Sequence, residues 1–110
     1  MTRDYLTDFE LMILLAILRV GDEAYGVPIA REIESSGERS VVLAAVYAAL
    51  DRLETNGLVS SSLGDPTPAR GGRAKRMFRV TPAGLKAVKQ TRRVLTRLWS
   101  GVAQLERGPI

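Results

Sequence analysis

The chain has 110 residues and a formal net charge of +4, from 16 Lys and Arg against 12 Asp and Glu, with no His and no Cys. That length fits one small domain. The missing Cys excludes disulfides, thiolate zinc sites and thiol catalysis, and the missing His removes the commonest general base and metal ligand. Charge is segregated: residues 1–56 carry 5 basic and 10 acidic side chains, a net of −5, while residues 57–110 carry 11 basic and 2 acidic, a net of +9. The C-terminal half is therefore built to meet something negative.

Thr7-Asp8-Phe9-Glu10 reads as a capping box, so a first helix is expected from Asp8 to about Arg19. Its run Leu11-Met12-Ile13-Leu14-Leu15-Ala16-Ile17-Leu18 is apolar on more than one face, which calls for a second surface to pack on, such as a partner subunit. Glu10 interrupts the run and Arg19 ends it, too short to span a bilayer, and no signal-peptide cleavage pattern follows; a cytoplasmic location is the expectation. A second helix begins within Ala24-Tyr25-Gly26-Val27-Pro28-Ile29, with Pro28 in its first turn, and Ser35-Ser36-Gly37 stops it. A third helix is expected from Val42 to Thr55, where Leu43, Val46, Tyr47, Leu50 and Leu53 keep a helical period and Asn56-Gly57 closes it.

Leu58 to Leu63 reads as a strand, residues 64–72 as a Gly- and Pro-rich loop, and Arg76-Met77-Phe78-Arg79-Val80 as a second, alternating strand. Thr81-Pro82 caps a last helix expected to run as far as Glu106. The order defines a mainly α fold, a winged helix-turn-helix of three helices and a two-stranded wing, with a long C-terminal dimerisation helix added. The expected division is residues 1–81 for DNA binding and 82–110 for the dimerisation helix and tail.

The densest functional signal is the wing segment Arg70, Gly71, Gly72, Arg73, Lys75 and Arg76. It places four cations on a glycine-bearing hairpin tip, suited to a phosphate backbone. The competing reading is a solvated loop. The third helix is the candidate recognition helix. Ala44, Ala45 and Ala48 permit close approach to bases, and alanine can touch a thymine methyl group; as good helix formers they also need no function at all. Arg39 and Ser40, just ahead of it, are placed to reach phosphate or a base edge. Arg52 is assigned to the DNA backbone or an internal acid. Tyr47 reads as a packed ring with its hydroxyl at the edge, and Tyr25 as a contact at the start of the second helix.

Leu11, Leu14, Leu15 and Leu18 of the first helix, with Leu85, Val88, Leu95, Leu98, Trp99 and Val102 of the last, are the expected dimer interface. Trp99 reads as an interface anchor, or also as the lining of a pocket that stacks a small aromatic effector. Catalytic candidates are poor. Ser60, Ser61 and Ser62 have no His partner. Asp51 and Glu54 are spaced to share a metal, but such pairs are routine on surface helices. Gly71-Gly72 is not a nucleotide-binding fingerprint. No enzymatic activity, cofactor or metal is expected.

Three stretches together resemble the PadR-like transcriptional regulators: Ala24-Tyr25-Gly26 with Ile29 and Ile33; Val46-Tyr47-Ala48-Ala49-Leu50-Asp51-Arg52-Leu53-Glu54 with Gly57-Leu58-Val59; and Arg70-Gly71-Gly72-Arg73 through Arg76-Met77-Phe78-Arg79-Val80-Thr81-Pro82-Ala83-Gly84. The resemblance covers about residues 8–98 and points to the compact branch with a single C-terminal helix. It implies a homodimeric repressor that binds double-stranded DNA, joined through the first and last helices, and in some relatives an aromatic effector between subunits. Where many relatives have a Ser cap and then Gly at the start of the recognition helix, this chain has Val42 and Ala44; Ser40 is the replacement cap expected here. The alternatives are a winged-helix protein–protein adaptor and an RNA-binding winged helix. The latter is disfavoured because Phe9, Phe78 and Trp99 sit on apolar faces instead of offering stacking platforms.

Overall fold

The computed structural model describes residues 6–37, 40–64 and 75–106. Helix α1 (Asp8–Val20) opens on the expected capping box: the Glu10 N–H donates to Thr7 Oγ1 at 3.2 Å, and Glu10 Oε1 accepts from the Thr7 N–H at 2.9 Å. Glu10 is buried, so this reciprocal bond also satisfies a carboxylate oxygen that would be costly in a core. Gly21, at φ 75°, ends the helix, and a short 3-10 turn (Gly21–Glu23) leads to helix α2 (Gly26–Gly37). Helix α3 spans Leu43–Thr55, and the turn after it uses Gly57 at φ 77°. Strands β1 (Val59–Leu63) and β2 (Arg76–Val80) pair antiparallel, with Ser61 opposite Phe78. Helix α4 (Pro82–Trp99) starts on the Thr81 cap, whose Oγ1 accepts from the Gly84 N–H at 3.0 Å.

One pairing lies beyond sequence reasoning. The carbonyl of Ala24 accepts the Phe78 N–H at 2.8 Å, so the link between α1 and α2 acts as a third edge on β2 and ties the wing to the helices. The core is one cluster: Ile13, Leu14 and Ile17 of α1, Ile29 and Ile33 of α2, Val46, Leu50 and Leu53 of α3, with Val59 and Phe78 from the wing. Helix α4 packs on α1 and β2. Buried Thr91 accepts the Leu6 N–H at 3.1 Å, pinning the chain ahead of α1 to the middle of α4.

The last helix differs from expectation. It does not continue to Glu106 but ends at Trp99; Gly101 adopts φ 82°, and a four-residue helix α5 (Ala103–Glu106) follows. Glu106 Oε1 accepts the Gly101 N–H at 2.8 Å across the break. A glycine at positive φ terminates the helix there because no Cβ opposes that conformation. Among the described residues, no helix is long and apolar enough to cross a membrane.

Candidate nucleic-acid interface

Helices α2 and α3 pack on each other, and Gly26 sets how closely they approach. A Cβ on Gly26 would collide with the hydroxyl and ring of Tyr47, its Cε2 lying at 2.8 Å. The Tyr47 ring thus rests on the first residue of α2, and only glycine leaves room for it. Tyr47 remains 37% exposed, so it is a seam residue and not a core residue.

The start of α3 departs from the expected cap. Val42 is the N-cap, and no side chain closes the end; Ser40 is exposed and does not substitute. Instead, Glu34 Oε2 accepts the Val41 N–H at 2.9 Å, which fixes the chain just before the helix. The Val42 carbonyl takes the Ala45 and Val46 N–H groups at 2.9 and 3.2 Å. On α3 itself, Val46, Ala49, Leu50 and Leu53 face the core, and Ala44, Ala48, Asp51 and Thr55 run along the opposite side. Ala45 and Arg52 flank that row and are exposed as well. The outward face is therefore apolar for two turns and polar thereafter. Arg39 lies outside the described residues.

The wing is joined to α3 by a side-chain clip that was not legible in the sequence. Arg76 Nη1 donates to Asp51 Oδ1 at 3.1 Å, Nη2 pairs with Glu54 Oε1, and Nε donates to Ser61 Oγ at 3.2 Å. Ser61 in turn donates to Glu54 Oε2 at 2.6 Å. The Ser61 hydroxyl, assisted by the Arg76 charge, holds the Glu54 carboxyl below the usual glutamate range. The Arg76 guanidinium also covers the buried Phe78 ring, 4.9 Å from its centroid. Arg76 is thus engaged by two acids within the fold, and Asp51 and Glu54, spaced in the sequence as a carboxylate pair, share its guanidinium. Lys75, half-buried just ahead of β2, has its Nζ 5.1 Å from the centroid of Tyr25, which joins two of the sequence-selected residues; Arg79 of β2 is exposed. Arg70, Gly71, Gly72 and Arg73 lie outside the described residues.

On α1, the row Glu10, Ile13, Leu14 and Ile17 faces the core, while Leu15 and Leu18 of the next row are exposed and Leu11 is half-buried. Leu14, expected at a subunit interface, is 0% exposed, because α1 is covered there by the rest of its own fold. Val88 likewise packs against the subunit's own core. Leu85, Leu95, Leu98 and Trp99 stand exposed on α4, Leu98 at 69%, and Val102 is half-buried beyond the helix break. A groove of about 330 Å³ runs between the helices, lined by Leu11, Met12 and Leu15 of α1 and by Val94 and Leu95 of α4. Trp99 lines a separate open hollow with Leu95, Thr96, Ser100 and Glu106. Away from this surface, Lys86, Lys89, Arg93 and Arg97 are exposed at spacings of three and four residues along α4. The positive half of the sequence thus resolves into a wing and a helix face.

Three packed helices, the third of them the candidate recognition helix, and a two-stranded wing clipped to it through Arg76 define a winged-helix DNA-binding protein. Residues 14–90 match the transcriptional regulator PadR-like family, and the chain belongs to it. It is 36% identical over 77 residues to the transcriptional regulator Rv3488 of Mycobacterium tuberculosis, covering 70% of this chain and 67% of that one. A PadR-like transcriptional regulator from Bacillus cereus has the same fold, with a TM-score of 0.71 at 21% identity over 92% of this chain and 93% of that chain. A transcriptional regulator from Clostridium thermocellum gives a TM-score of 0.69 at 25% identity over 89% and 92%. The chain is accordingly a DNA-binding transcriptional regulator and not an enzyme.

Proposed function

We propose that the protein works as a homodimer that binds a palindromic operator and represses transcription by occupying it. The observation that carries this reading is the set of exposed apolar side chains Leu15 and Leu18 of α1 and Leu95, Leu98 and Trp99 of α4, with the groove between the two helices lined by Leu11, Leu15 and Leu95. Exposed leucines and a tryptophan on two adjoining helices are costly in water, and a second copy covers them by two-fold symmetry. Residues 82–110 then serve dimerisation and residues 1–81 bind DNA. Tyr25, Ser40, Ala44, Ala45, Tyr47, Ala48, Arg52 and Lys75 face the duplex, with the wing residues Arg70 to Arg73 on the phosphates. Two reading helices so joined address half-sites about 34 Å apart, one turn of the duplex. In this reading a small aromatic effector stacks on Trp99, in the hollow it lines with Leu95 and Thr96.

Sedimentation of the wild type and of Leu98→Glu, paired with binding to duplexes carrying one or two half-sites, tests the proposal. The wild type is expected to be a dimer that prefers the two-site duplex. Leu98→Glu is expected to be a folded monomer that has lost this preference. A wild-type monomer at micromolar concentration, or equal affinity for one and two half-sites, refutes it. A reporter promoter carrying the selected site reads out repression.

A further inference from the structure

Recognition helices commonly read base edges with Asn, Gln, Arg or Lys, whose paired hydrogen bonds distinguish adenine and guanine. The first two turns of α3 present none of these. Ala44 and Ala48 lie at the centre of the outward face, with Leu43 and Ala45 beside them and Val42, 68% exposed, at the tip. The one side-chain heteroatom in this stretch is the Tyr47 hydroxyl, and it lies over Gly26. Polar side chains resume at Asp51, which is already bonded to Arg76. A helix end that is meant to remain in water has no reason to expose so unbroken an apolar surface. The main apolar group on the floor of the major groove is the thymine 5-methyl. Single-carbon side chains at the centre of the face let the helix axis come close enough to touch it. The partner is also matched in charge: the face is bordered by exposed Arg52, and the wing brings Lys75 beside Tyr25.

We infer that the specificity of this regulator rests on thymine methyl groups packed against Ala44, Ala45 and Ala48, with Val42 and Leu43 at the edge, while its cations supply sequence-independent attraction. The inference deepens the operator-binding reading and depends on it. Each half-site then carries thymines where α3 crosses the groove. Discrimination comes from apolar contact instead of bidentate hydrogen bonds.

The test uses the full chain and two random duplex pools selected in parallel, one made with thymine and one with deoxyuridine, which lacks only the methyl. The best duplex from the thymine pool is then measured in both forms at one salt concentration. Loss of each contacted methyl is expected to weaken binding about fourfold, and one methyl in each of two half-sites about sixteenfold, from the transfer free energy of a buried carbon. The salt dependence should be the same for both forms, because methyl groups release no counterions. Ala48→Ser, an exposed substitution, should narrow the ratio of thymine to uracil affinity. Equal affinity of the two forms, or enrichment of a motif without thymine, overturns the inference and leaves operator binding standing. Enrichment from neither pool overturns both and points to a protein partner for this face.

Discussion

Gly84→Ala tests how α4 is seated, and its cost can be worked out from the contacts. Gly84 is the third residue of α4, and its N–H donates to Thr81 Oγ1. A Cβ there would lie 2.7 Å from Val80 Cγ1 and 3.1 Å from the Leu58 carbonyl carbon, with the Leu58 oxygen nearer still. The opposing group is backbone and cannot swing aside. The same Leu58 oxygen accepts the Thr81 N–H at 3.0 Å, and the Thr81 hydroxyl donates to the Gly57 carbonyl at 2.7 Å. If α4 retreats, both bonds lengthen. Overpacking costs about 1–3 kcal/mol, and each weakened hydrogen bond about 1 kcal/mol. The better helix propensity of alanine returns about 1 kcal/mol. The net loss is about 2–4 kcal/mol, a fall in Tm of roughly 10–25 °C for a chain of this size. Thermal melts followed by circular dichroism, at one protein concentration so that any dimer is equally populated, measure it. The neighbouring exposed substitution Ala83→Gly gives the propensity cost alone. An unchanged or raised Tm for Gly84→Ala would mean that α4 does not approach the Leu58 backbone this closely, and the reasoning would fail.

Gly26→Ala meets an equally close neighbour, but that neighbour is the far end of the Tyr47 side chain, which can turn away. It should lower Tm by less than Gly84→Ala yet weaken operator binding. In a double-mutant cycle, Tyr47→Ala should remove the cost of Gly26→Ala, because the colliding ring is then gone. Leu14→Ala should cost about 2–5 kcal/mol of subunit stability in urea titration, as a cavity in a closed core does. It should not change subunit association through a lost interface contact. Lys75→Gln should weaken binding to every duplex and reduce the salt slope by about one. Arg76→Gln should leave the slope unchanged, since its charge is already paired with Asp51 and Glu54. Because the Glu54 pKa is lower folded than unfolded, the stability from this clip is present above the ordinary glutamate pKa of about 4.3 and is lost as pH falls through the lower folded value. Urea midpoints between neutral and acid pH should therefore fall less in Glu54→Gln than in wild type.

The features legible in the sequence were local ones. The capping box at Thr7 and Glu10, the Thr81-Pro82 start of α4 and the alternation of Arg76 to Val80 are short-range patterns, and the structure places α1, α4 and β2 where they indicate. The conformational stop at Gly101 was visible as a glycine, but its strength was not: whether a helix bends or ends there depends on what the following turn bonds, here Glu106 to the Gly101 N–H. Tertiary packing chose which of several equivalent-looking side chains faces inward. Leu14 and Leu15 are neighbours of the same type. One is enclosed and the other exposed because helical rotation turns only one of them toward α2, α3 and β2. Packing also set the fate of the wing charge. Arg76 reads in sequence as one more cation among four, yet its partners stand 22 and 25 residues away on α3. No periodicity links residues so far apart; the hairpin register brings them together. The net charge of +4 was legible from the first line. Which of its cations are paired within the fold was decided by folding, which sets the Arg76 guanidinium against the carboxylates of Asp51 and Glu54.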